Sequence, residues 1–304
     1  MKVLVTGGAG FIGSHIVDKL IQSGHRVIIV DNLASGKKEN INPKAEFYEV
    51  DIRNMPDLEK IFREESPDIV NHHAAQNDVT TSMKDPAFDA SVNILGSLNL
   101  INLSVTYKIK KFIFASTSVV YPDTNDLPTS EEYLIKPISA YGISKYAIEQ
   151  YLKLYNENYG LKYTIFRYGN VYGPRQDPNG ESGVVAIFSK QISEGIRPTI
   201  FGDGNKTRDY IHIDDVISAN MLVLDKLGNG NVYNLGWGRE ISDFEVLDTV
   251  RKTLGVKVDP IYGKKRKGEH SRVCLDPSKA KAEIGWIPKV SFEVGIPQYS
   301  KLLQ

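Results

Sequence analysis

The sequence predicts an α/β protein in which a doubly wound parallel sheet is followed by a smaller α/β domain. Short β-branched apolar runs alternate with amphipathic segments in the first half of the chain, and turn residues break this alternation near Gly173. Alternating strands and helices require right-handed crossovers and a sheet that is covered on both faces. We therefore assign residues 1–170 to the first domain, with a return segment near 205–235, and residues 171–304 mainly to the second.

The predicted elements follow in chain order. Buried-strand patterns occupy residues 2–6, 26–30, 45–50, 69–74, 111–115 and 164–168. Helical spacing occupies residues 12–23, 57–65, 87–107, 140–159, 184–194 and 214–226. A further helix starts after Ser242, where Glu245 three residues on completes a capping box, and it stops before Gly255. A last short helix is predicted from Pro277, with Asp276 as its cap.

The composition limits the possible partners. The 304 residues contain 37 Lys and Arg against 37 Asp and Glu, so no global field favours nucleic acid or an anionic membrane. The single cysteine, Cys274, excludes a disulfide framework and cysteine-rich zinc sites, and it fits a reducing compartment. The first residues reach glycine too early for a signal peptide, and no apolar run approaches the roughly 18 residues of a membrane span. We expect a cytoplasmic globular protein.

A glycine-rich loop follows the first predicted strand and opens the first helix. Its glycines, Gly7, Gly10 and Gly13, permit a sharp turn and a close backbone approach to a pyrophosphate at the helix N-terminus. Asp31 ends the second strand, where a carboxylate can accept hydrogen bonds from ribose hydroxyls, and no arginine follows it. This pattern predicts binding of a dinucleotide, NAD rather than NADP. The spacing is not that of the standard fingerprint, and a purely structural turn is the alternative.

Two Tyr–Lys pairs have the spacing of one helical turn, which places a phenol and an ammonium on the same face. Tyr141 and Lys145 follow a hydroxyl cluster around Thr117 at the tip of a predicted strand, where ligands gather in open α/β sheets. Tyr107 and Lys111 have no such cluster upstream. A phenol is a useful base only if its pKa falls from about 10 towards 7, and an ammonium and an oxidised nicotinamide could both lower it. The alternative is an ordinary amphipathic helix residue.

Together these motifs resemble those of the extended short-chain dehydrogenases/reductases, and within that group the nucleotide-sugar epimerases typified by UDP-glucose 4-epimerase. The resemblance covers nearly the whole chain. It implies an N-terminal Rossmann domain that binds NAD and a smaller C-terminal domain that binds a nucleotide sugar. The matching motifs are the glycine loop, the acids after the second and third strands, the H-x-A-A stretch and N-x-x-G. The implied cofactor-binding residues are Gly7, Gly10, Phe11, Ile12, Gly13, Asp31, Asn32, Asp51, Ile52, Ala74, Ala75, Asn93, Tyr141 and Lys145.

The resemblance also assigns catalysis and substrate binding. Thr117 matches the family's catalytic Ser/Thr, Tyr141 matches the base and Lys145 matches its partner. Arginine and asparagine positions match the residues that contact the sugar-nucleotide diphosphate, and a glutamate replaces the aspartate that usually meets the nucleotide ribose. The implied substrate-binding residues are Thr117, Tyr141, Asn170, Arg208, Arg266 and Glu269.

The residues after Thr117 bear on the reaction. Relatives that dehydrate or decarboxylate sugars generally carry an acid there, whereas Ser118 and Val119 follow here, so elimination lacks its general acid–base. The remaining set supports oxidation and re-reduction, and the resemblance then implies NAD-dependent epimerisation of UDP-glucose and UDP-galactose at C4, through a transient 4-keto sugar. Val273 is small at a position that, in the family, lies beside the C2 substituent of the sugar, which extends the prediction to the N-acetylhexosamine pair.

Other interpretations stay open: a nucleotide-sugar dehydrogenase or reductase, another epimerase with the same tyrosine base, and a non-catalytic NAD-binding protein. A metal site is not expected, because His72 and His73 are adjacent on a predicted strand and point to opposite faces. The resemblance implies a homodimer formed by helices 87–107 and 140–159. Their apolar residues, which fit either a core or an interface, are Leu95, Leu98, Ile101, Ile148, Tyr151, Leu152 and Tyr155.

Overall fold

A seven-stranded parallel sheet lies at the centre of the computed structural model, which describes residues 1–179, 183–266 and 268–301. Its strands are β1 (Lys2–Thr6), β2 (Arg26–Asp31), β3 (Glu46–Glu49), β4 (Ile69–His72), β5 (Lys111–Thr117), β6 (Tyr163–Tyr168) and β11 (Asn231–Leu235). The spatial order β11-β6-β5-β4-β1-β2-β3 reverses direction between β1 and β4. Ligands bind in open sheets at such a switch point. The predicted doubly wound fold is confirmed, and β11, which the apolar pattern does not predict, lies in the return segment.

Helices cover both faces of this sheet. Those of the first domain are α1 (Phe11–Gln22), α2 (Met55–Glu65), α3 (Val79–Lys84), α4 (Pro86–Ala90), α5 (Ser97–Thr106) and α6 (Ala140–Tyr159). The single helix predicted at 87–107 is wrong in one respect: a π-helical stretch, Ser91–Gly96, separates α4 from α5. The short helix α3 is also absent from the prediction. π-Helical turns are rare and frequently accompany functional sites.

Alternate residues of each strand enter two different cores, which is why the strands read as continuous apolar runs. On one face, Val5 and Ile29 pack with α1 and with Trp286. On the other face, Leu4 and Ile28 pack with α2, α5 and α6. Side chains are therefore held on both sides of the sheet, and the strand ends are rigid supports for groups at their tips.

Short strands and helices build the second layer. The strands are β7 (Asn170–Tyr172), β8 (Thr199–Phe201), β9 (Thr207–Arg208), β10 (Tyr210–His212), β12 (Ile241–Ser242) and β13 (Ile261–Gly263). The helices of this layer are α7 (Val184–Ser193), α9 (Asp243–Leu254) and α11 (Phe292–Lys301), whereas α8 (Ile213–Leu222) and α10 (Ser278–Ile284) pack on the face of the sheet that α1 covers. A third core joins α7, α9 and α11. In the part of the chain that is described, no helix is both long and apolar enough to cross a membrane.

The helix ends test the predicted caps. The capping box is confirmed: Ser242 Oγ accepts a hydrogen bond from the Glu245 amide at 3.1 Å, and Glu245 accepts one from the Ser242 amide at 2.8 Å. Asp276 was expected to cap α10, but Pro277 occupies the cap position, and Asp276 instead accepts from the Ser278 amide at 2.9 Å. The helix predicted at 214–226 ends four residues earlier, at Leu222, and α11 is absent from the prediction.

Candidate active site

A cavity of about 720 Å³ opens at the carboxyl ends of the sheet strands and extends beneath the second layer. Its size is in the usual range for a ligand pocket. It brings together almost every residue that the sequence nominates, although these come from positions between 7 and 269 of the chain. Those that line it are Gly7, Gly10, Phe11, Ile12, Gly13, Asp31, Asn32, Asp51, Ile52, Ala74, Ala75, Thr117, Tyr141, Lys145, Asn170, Arg208, Arg266 and Glu269.

The glycine loop is compact enough to exclude side chains. A Cβ on Gly13 would lie 2.1 Å from the Gly7 carbonyl oxygen, and one on Gly7 would lie 2.7 Å from the Ala74 nitrogen. Gly7 also adopts φ +68°, which favours glycine. No side chain caps the N-terminus of α1 at Gly10, so its first amides face the cavity. This end of the cavity therefore fits a pyrophosphate.

Two carboxylates mark the adenosine end of this loop. Asp31 accepts hydrogen bonds from the amides of Ala9 at 3.0 Å and Leu33 at 2.8 Å, which hold it beside the loop. Asp51 accepts from both Arg53 and Asn32, and the Arg53 hydrogen bonds hold the pKa of its carboxyl well below the usual range. Asp31 therefore keeps the capacity to accept hydrogen bonds from ribose hydroxyls, and Asp51 lines the same end of the cavity. The residues present fit NAD.

The phenol of Tyr141 and the ammonium of Lys145 lie on the cavity side of α6. Lys145 Nζ donates to the Ala115 carbonyl at 2.9 Å and lies 5.9 Å from the centre of the Tyr141 ring. Burial raises the pKa of Tyr141, while the Thr117 hydroxyl opposes that shift. Burial also lowers the pKa of Lys145 to about 8. In the protein alone, desolvation therefore outweighs the Thr117 hydrogen bond, and a low tyrosine pKa requires further positive charge beside the phenol.

Cations gather at the opposite end of the cavity. Arg266 stacks on Phe201, with its guanidinium carbon 3.9 Å from the ring centre. Arg208 binds the Thr207 carbonyl at 2.7 Å and leaves other donors available for a ligand. The Asn170 amide donates to the Asp209 carbonyl at 2.6 Å, which joins the Asn170 and Arg208 segments. A diphosphate is the ligand that such guanidinium groups suit best.

Sequence reasoning missed several residues of this cavity. Lys206 lies between two acids, 3.0 Å from Glu269 Oε2 and 3.6 Å from Asp243 Oδ2. Gln76 and Phe201 also line the cavity. A lone lysine, glutamine or phenylalanine carries no motif, so only proximity to a matched motif could have suggested Gln76 and Lys206, and nothing in the sequence suggested Phe201.

Asn93 is the one nominated binding residue that does not line the cavity. The side chain was expected to contact the cofactor, but it is 1% exposed and lies behind the cavity wall. Its Oδ1 accepts from the Gln76 amide at 2.9 Å, and its Nδ2 donates to the Gln76 carbonyl at 2.8 Å. These hydrogen bonds hold the wall in place, and the assignment of Asn93 to the cofactor stays a prediction.

Val273 and the adjacent histidines complete the comparison with expectation. Val273 is buried, 6% exposed, and does not line the cavity, so its size gives no room to a sugar substituent.

His72 bonds Thr6 on one side of the sheet, whereas His73 contacts the Tyr168 hydroxyl at 3.1 Å on the other. Within residues 1–179, 183–266 and 268–301, no cluster of His, Cys, Asp or Glu could hold a metal ion.

The sheet, glycine loop and Tyr–Lys pair define an NAD-binding α/β protein of the Rossmann type. The chain belongs to the NAD-dependent epimerase/dehydratase family, whose model matches residues 3–236. It is 46% identical to a putative UDP-glucose 4-epimerase of Methanocaldococcus jannaschii over 97% of this chain and 95% of that protein.

Solved structures extend the similarity to three dimensions. A UDP-glucose 4-epimerase of Thermotoga maritima, crystallised with UDP-glucose, superposes with a TM-score of 0.97 at 48% identity, covering 99% of this chain and 98% of that one. A UDP-glucose 4-epimerase of Thermus thermophilus in complex with NAD gives a TM-score of 0.95 at 43% identity, covering 100% and 99% of the two chains.

Proposed function

We propose that this protein catalyses NAD-dependent epimerisation of a nucleotide sugar at C4, with UDP-glucose and UDP-galactose as its substrate pair. The observation that carries the proposal is the shared cavity: Thr117, Tyr141 and Lys145 face the same space as the glycine loop at one end and Arg208 and Arg266 at the other. Residues 1–170, with the return strand, bind the cofactor, and residues 171–304 bind mainly the nucleotide sugar.

The residues around the sugar perform the acid–base work. Tyr141 removes the O4 proton, and Thr117 hydrogen-bonds the same oxygen. When bound, NAD would accept hydride from C4 and return it to the opposite face of that carbon, and it would place a positively charged ring near the phenol. Lys145 holds the cofactor ribose and adds a second positive charge, which offsets the effect of burial on the tyrosine pKa. After the sugar turns over, Tyr141 returns the proton to O4 of the 4-keto intermediate.

The nucleotide is anchored while the sugar rotates. Arg208, Arg266 and Asn170 bind the diphosphate, and Glu269 meets the nucleotide ribose. Lys206 holds Glu269 in place through their ion pair of 3.0 Å. Ser118 and Val119, which follow Thr117, carry no carboxylate, and this favours epimerisation over dehydration.

The direct test supplies UDP-galactose to the enzyme with its retained NAD and resolves the products by chromatography. We expect UDP-glucose to form in the same number of molecules as UDP-galactose disappears, with no steady rise in absorbance at 340 nm, because the cofactor is regenerated in each turnover. Continuous accumulation of NADH would identify a dehydrogenase, and no conversion would contradict the proposal. The N-acetylated pair is assayed in parallel.

We also propose that the protein is a homodimer. The residues predicted for the interface differ in exposure. Ile101, Ile148 and Leu152 are fully buried in the core. Leu95 is 60% exposed and Tyr151 is 36% exposed. Three further apolar side chains of α6 are exposed at helical spacing, so the helix presents an apolar stripe away from the sheet. They are Ile143, Leu154 and Tyr159. A second copy of this chain would cover that stripe.

The remaining assignments concern environment. The balanced charge argues against nucleic acid as a partner, and the buried free thiol of Cys274 suits a reducing compartment. We propose that the enzyme acts in the cytoplasm, where nucleotide sugars and NAD are both available to it.

A further inference from the structure

A buried carboxylate lies behind the Tyr141–Lys145 pair, on a helix that the catalytic motifs do not include. Asp89 belongs to α4 and is 1% exposed. Its Oδ1 accepts hydrogen bonds from Gln76 Nε2 at 2.8 Å and from Asn93 Nδ2 at 3.0 Å. A charge in such a place is costly unless it is hydrogen-bonded and compensated.

The hydrogen-bonded neighbours of Asp89 connect it to α6. Asn93 Nδ2 also contacts Ser144 Oγ at 3.2 Å, and Ser144 Oγ donates to the Tyr141 carbonyl at 2.9 Å. Ser144 lies between the two catalytic positions in the sequence. The π-helical stretch Ser91–Gly96 contains Asn93 and carries its side chain to this junction. The cluster therefore supports the segment of α6 that presents the phenol and the ammonium.

The ammonium of Lys145 requires compensating negative charge. Among the described residues its direct hydrogen bond is to a neutral group, the Ala115 carbonyl. Lys145 is 3% exposed, and in the described part of the chain no carboxylate oxygen lies within 4 Å of its ammonium. Burial lowers the pKa of Lys145 to about 8, and Asp89 is the carboxylate that opposes this shift. Buried lysines without such compensation lose their proton.

Other titratable groups near Lys145 do not provide that compensation. His72 ends β4 and His73 follows it, burial lowers the pKa of each, and a histidine ring carries no negative charge that could compensate Lys145. Glu149 follows one turn later on α6, but the Arg167 guanidinium pairs with both of its oxygens, at 3.0 and 2.6 Å. Tyr141 is the remaining neighbour, and burial raises its pKa.

We propose that Asp89 is the buried counter-charge of the Tyr141–Lys145 pair: its carboxylate fixes Gln76 and Asn93 against the cavity and keeps Lys145 cationic. Asp89 is a positioning residue, because it acts through these neighbours and not on the substrate. The inference rests on the proposed function, since it concerns the same proton transfers.

Removal of the Asp89 charge should move both limbs of the pH profile of activity in the same direction. Loss of the Asp89 charge lowers the pKa of Lys145, so the alkaline limb of the activity profile moves to lower pH. The same change lowers the pKa of Tyr141, which Asp89 otherwise raises, so the acid limb moves to lower pH as well. A defect that only disturbed packing would lower the activity without moving either limb.

The test is the pH profile of kcat for Asp89→Asn, which removes the charge and keeps an acceptor of the same shape. We expect both limbs to move to lower pH by about one unit, as removal of a nearby charge predicts at an effective dielectric constant near 20. The control is Asp85→Asn, at the N-cap of the same helix, where Asp85 accepts from the Phe88 amide at 2.9 Å and the limbs should stay in place.

A second readout avoids turnover. In protein labelled with ¹³C at tyrosine Cζ, the Tyr141 signal, identified by its loss in Tyr141→Phe, should titrate at lower pH in Asp89→Asn than in wild type. If that variant does not retain NAD, Asp89→Ser removes the same charge and leaves space for a water molecule. Unmoved limbs and an unmoved titration, or limbs that move apart, overturn the counter-charge role. An inactive wild-type enzyme would instead contradict the proposed function.

Discussion

Desolvation governs the chemistry of single residues in this cavity. The Tyr141 phenol needs a low pKa to act as a base, yet burial raises its pKa, and Thr117 opposes that rise only partly. Lys145 shows the reverse effect, because burial favours its neutral form. The surroundings therefore set the pKa of both groups. A positive charge placed beside the phenol lowers its pKa strongly, because little water screens the interaction in this buried site.

The first prediction concerns the base itself. Tyr141→Phe removes the hydroxyl and keeps the ring, so we expect retained NAD and a fall in kcat of roughly 10²–10⁴-fold, the usual contribution of a general base. Tyr107→Phe, from the other Tyr–Lys pair, is the matched control and should retain activity. Activity of Tyr141→Phe within tenfold of wild type would remove the assignment.

The second prediction concerns the diphosphate. Arg208→Met loses charge-assisted hydrogen bonds that contribute about 1.5–3 kcal/mol, so KM for UDP-galactose should rise roughly 10- to 100-fold while kcat changes little. Arg239→Met serves as the control, because Arg239 forms only exposed ion pairs with Glu245 and Glu293. Equal KM values for the two variants would show that Arg208 does not bind substrate.

At the scale of elements, each catalytic side chain stands at a strand or helix end that is supported from behind. Thr117 ends β5, and its neighbour Ser116 donates to Glu149 at 2.5 Å, inside the buried Glu149–Arg167 pair. The π-helical stretch before α5 similarly brings Asn93 to the cavity wall. These supports come from Glu149 on α6, Arg167 on β6 and the π-helical stretch, and neither Glu149 nor Arg167 was nominated as a site residue from the sequence.

The third prediction tests the glycine loop as an element. Gly13→Ala would place a Cβ 2.1 Å from the Gly7 carbonyl oxygen, and backbone on both sides cannot move aside. We expect loss of NAD retention and about 1–3 kcal/mol of destabilisation, measured by urea unfolding. Gly160→Ala, at the C-terminus of α6 with φ +72° and open space around it, should be similarly strained but should keep NAD. Unchanged NAD binding in Gly13→Ala would contradict the role of the loop.

At the scale of the whole molecule, the cavity exists only because the second layer closes over the sheet. Asp209 forms part of this joint: it is fully buried and accepts hydrogen bonds from the amides of Trp237, Gly238 and Leu275. Its carbonyl also accepts from Asn170. Asp209 therefore holds together the segment that carries Asn170, its own segment next to Arg208, and the residues that follow β11. This joint lies next to the predicted diphosphate site.

The fourth prediction addresses assembly. Leu154→Glu places a charge in the exposed stripe of α6, where Leu154 is 48% exposed. In light scattering we expect the wild type to show twice the 34.0 kDa chain mass and the variant to show a single chain. Leu134→Glu, at a loop position that is 67% exposed, is the control and should leave the mass unchanged. A monomeric wild type would contradict the homodimer.

The sequence by itself determined β1 to β6 of the sheet, most of the helices and many of the residues that line the cavity, because apolar periodicity, glycine spacing and matched motifs are local features that survive without coordinates. It did not determine where Asn93 and Val273 point, since motif position says nothing about which face of the wall a side chain occupies. Nor did it reveal Asp89, Lys206 or the π-helical stretch at Ser91–Gly96. Those depend on charges and hydrogen bonds between segments distant in the chain, and only the tertiary structure decides which buried groups compensate one another.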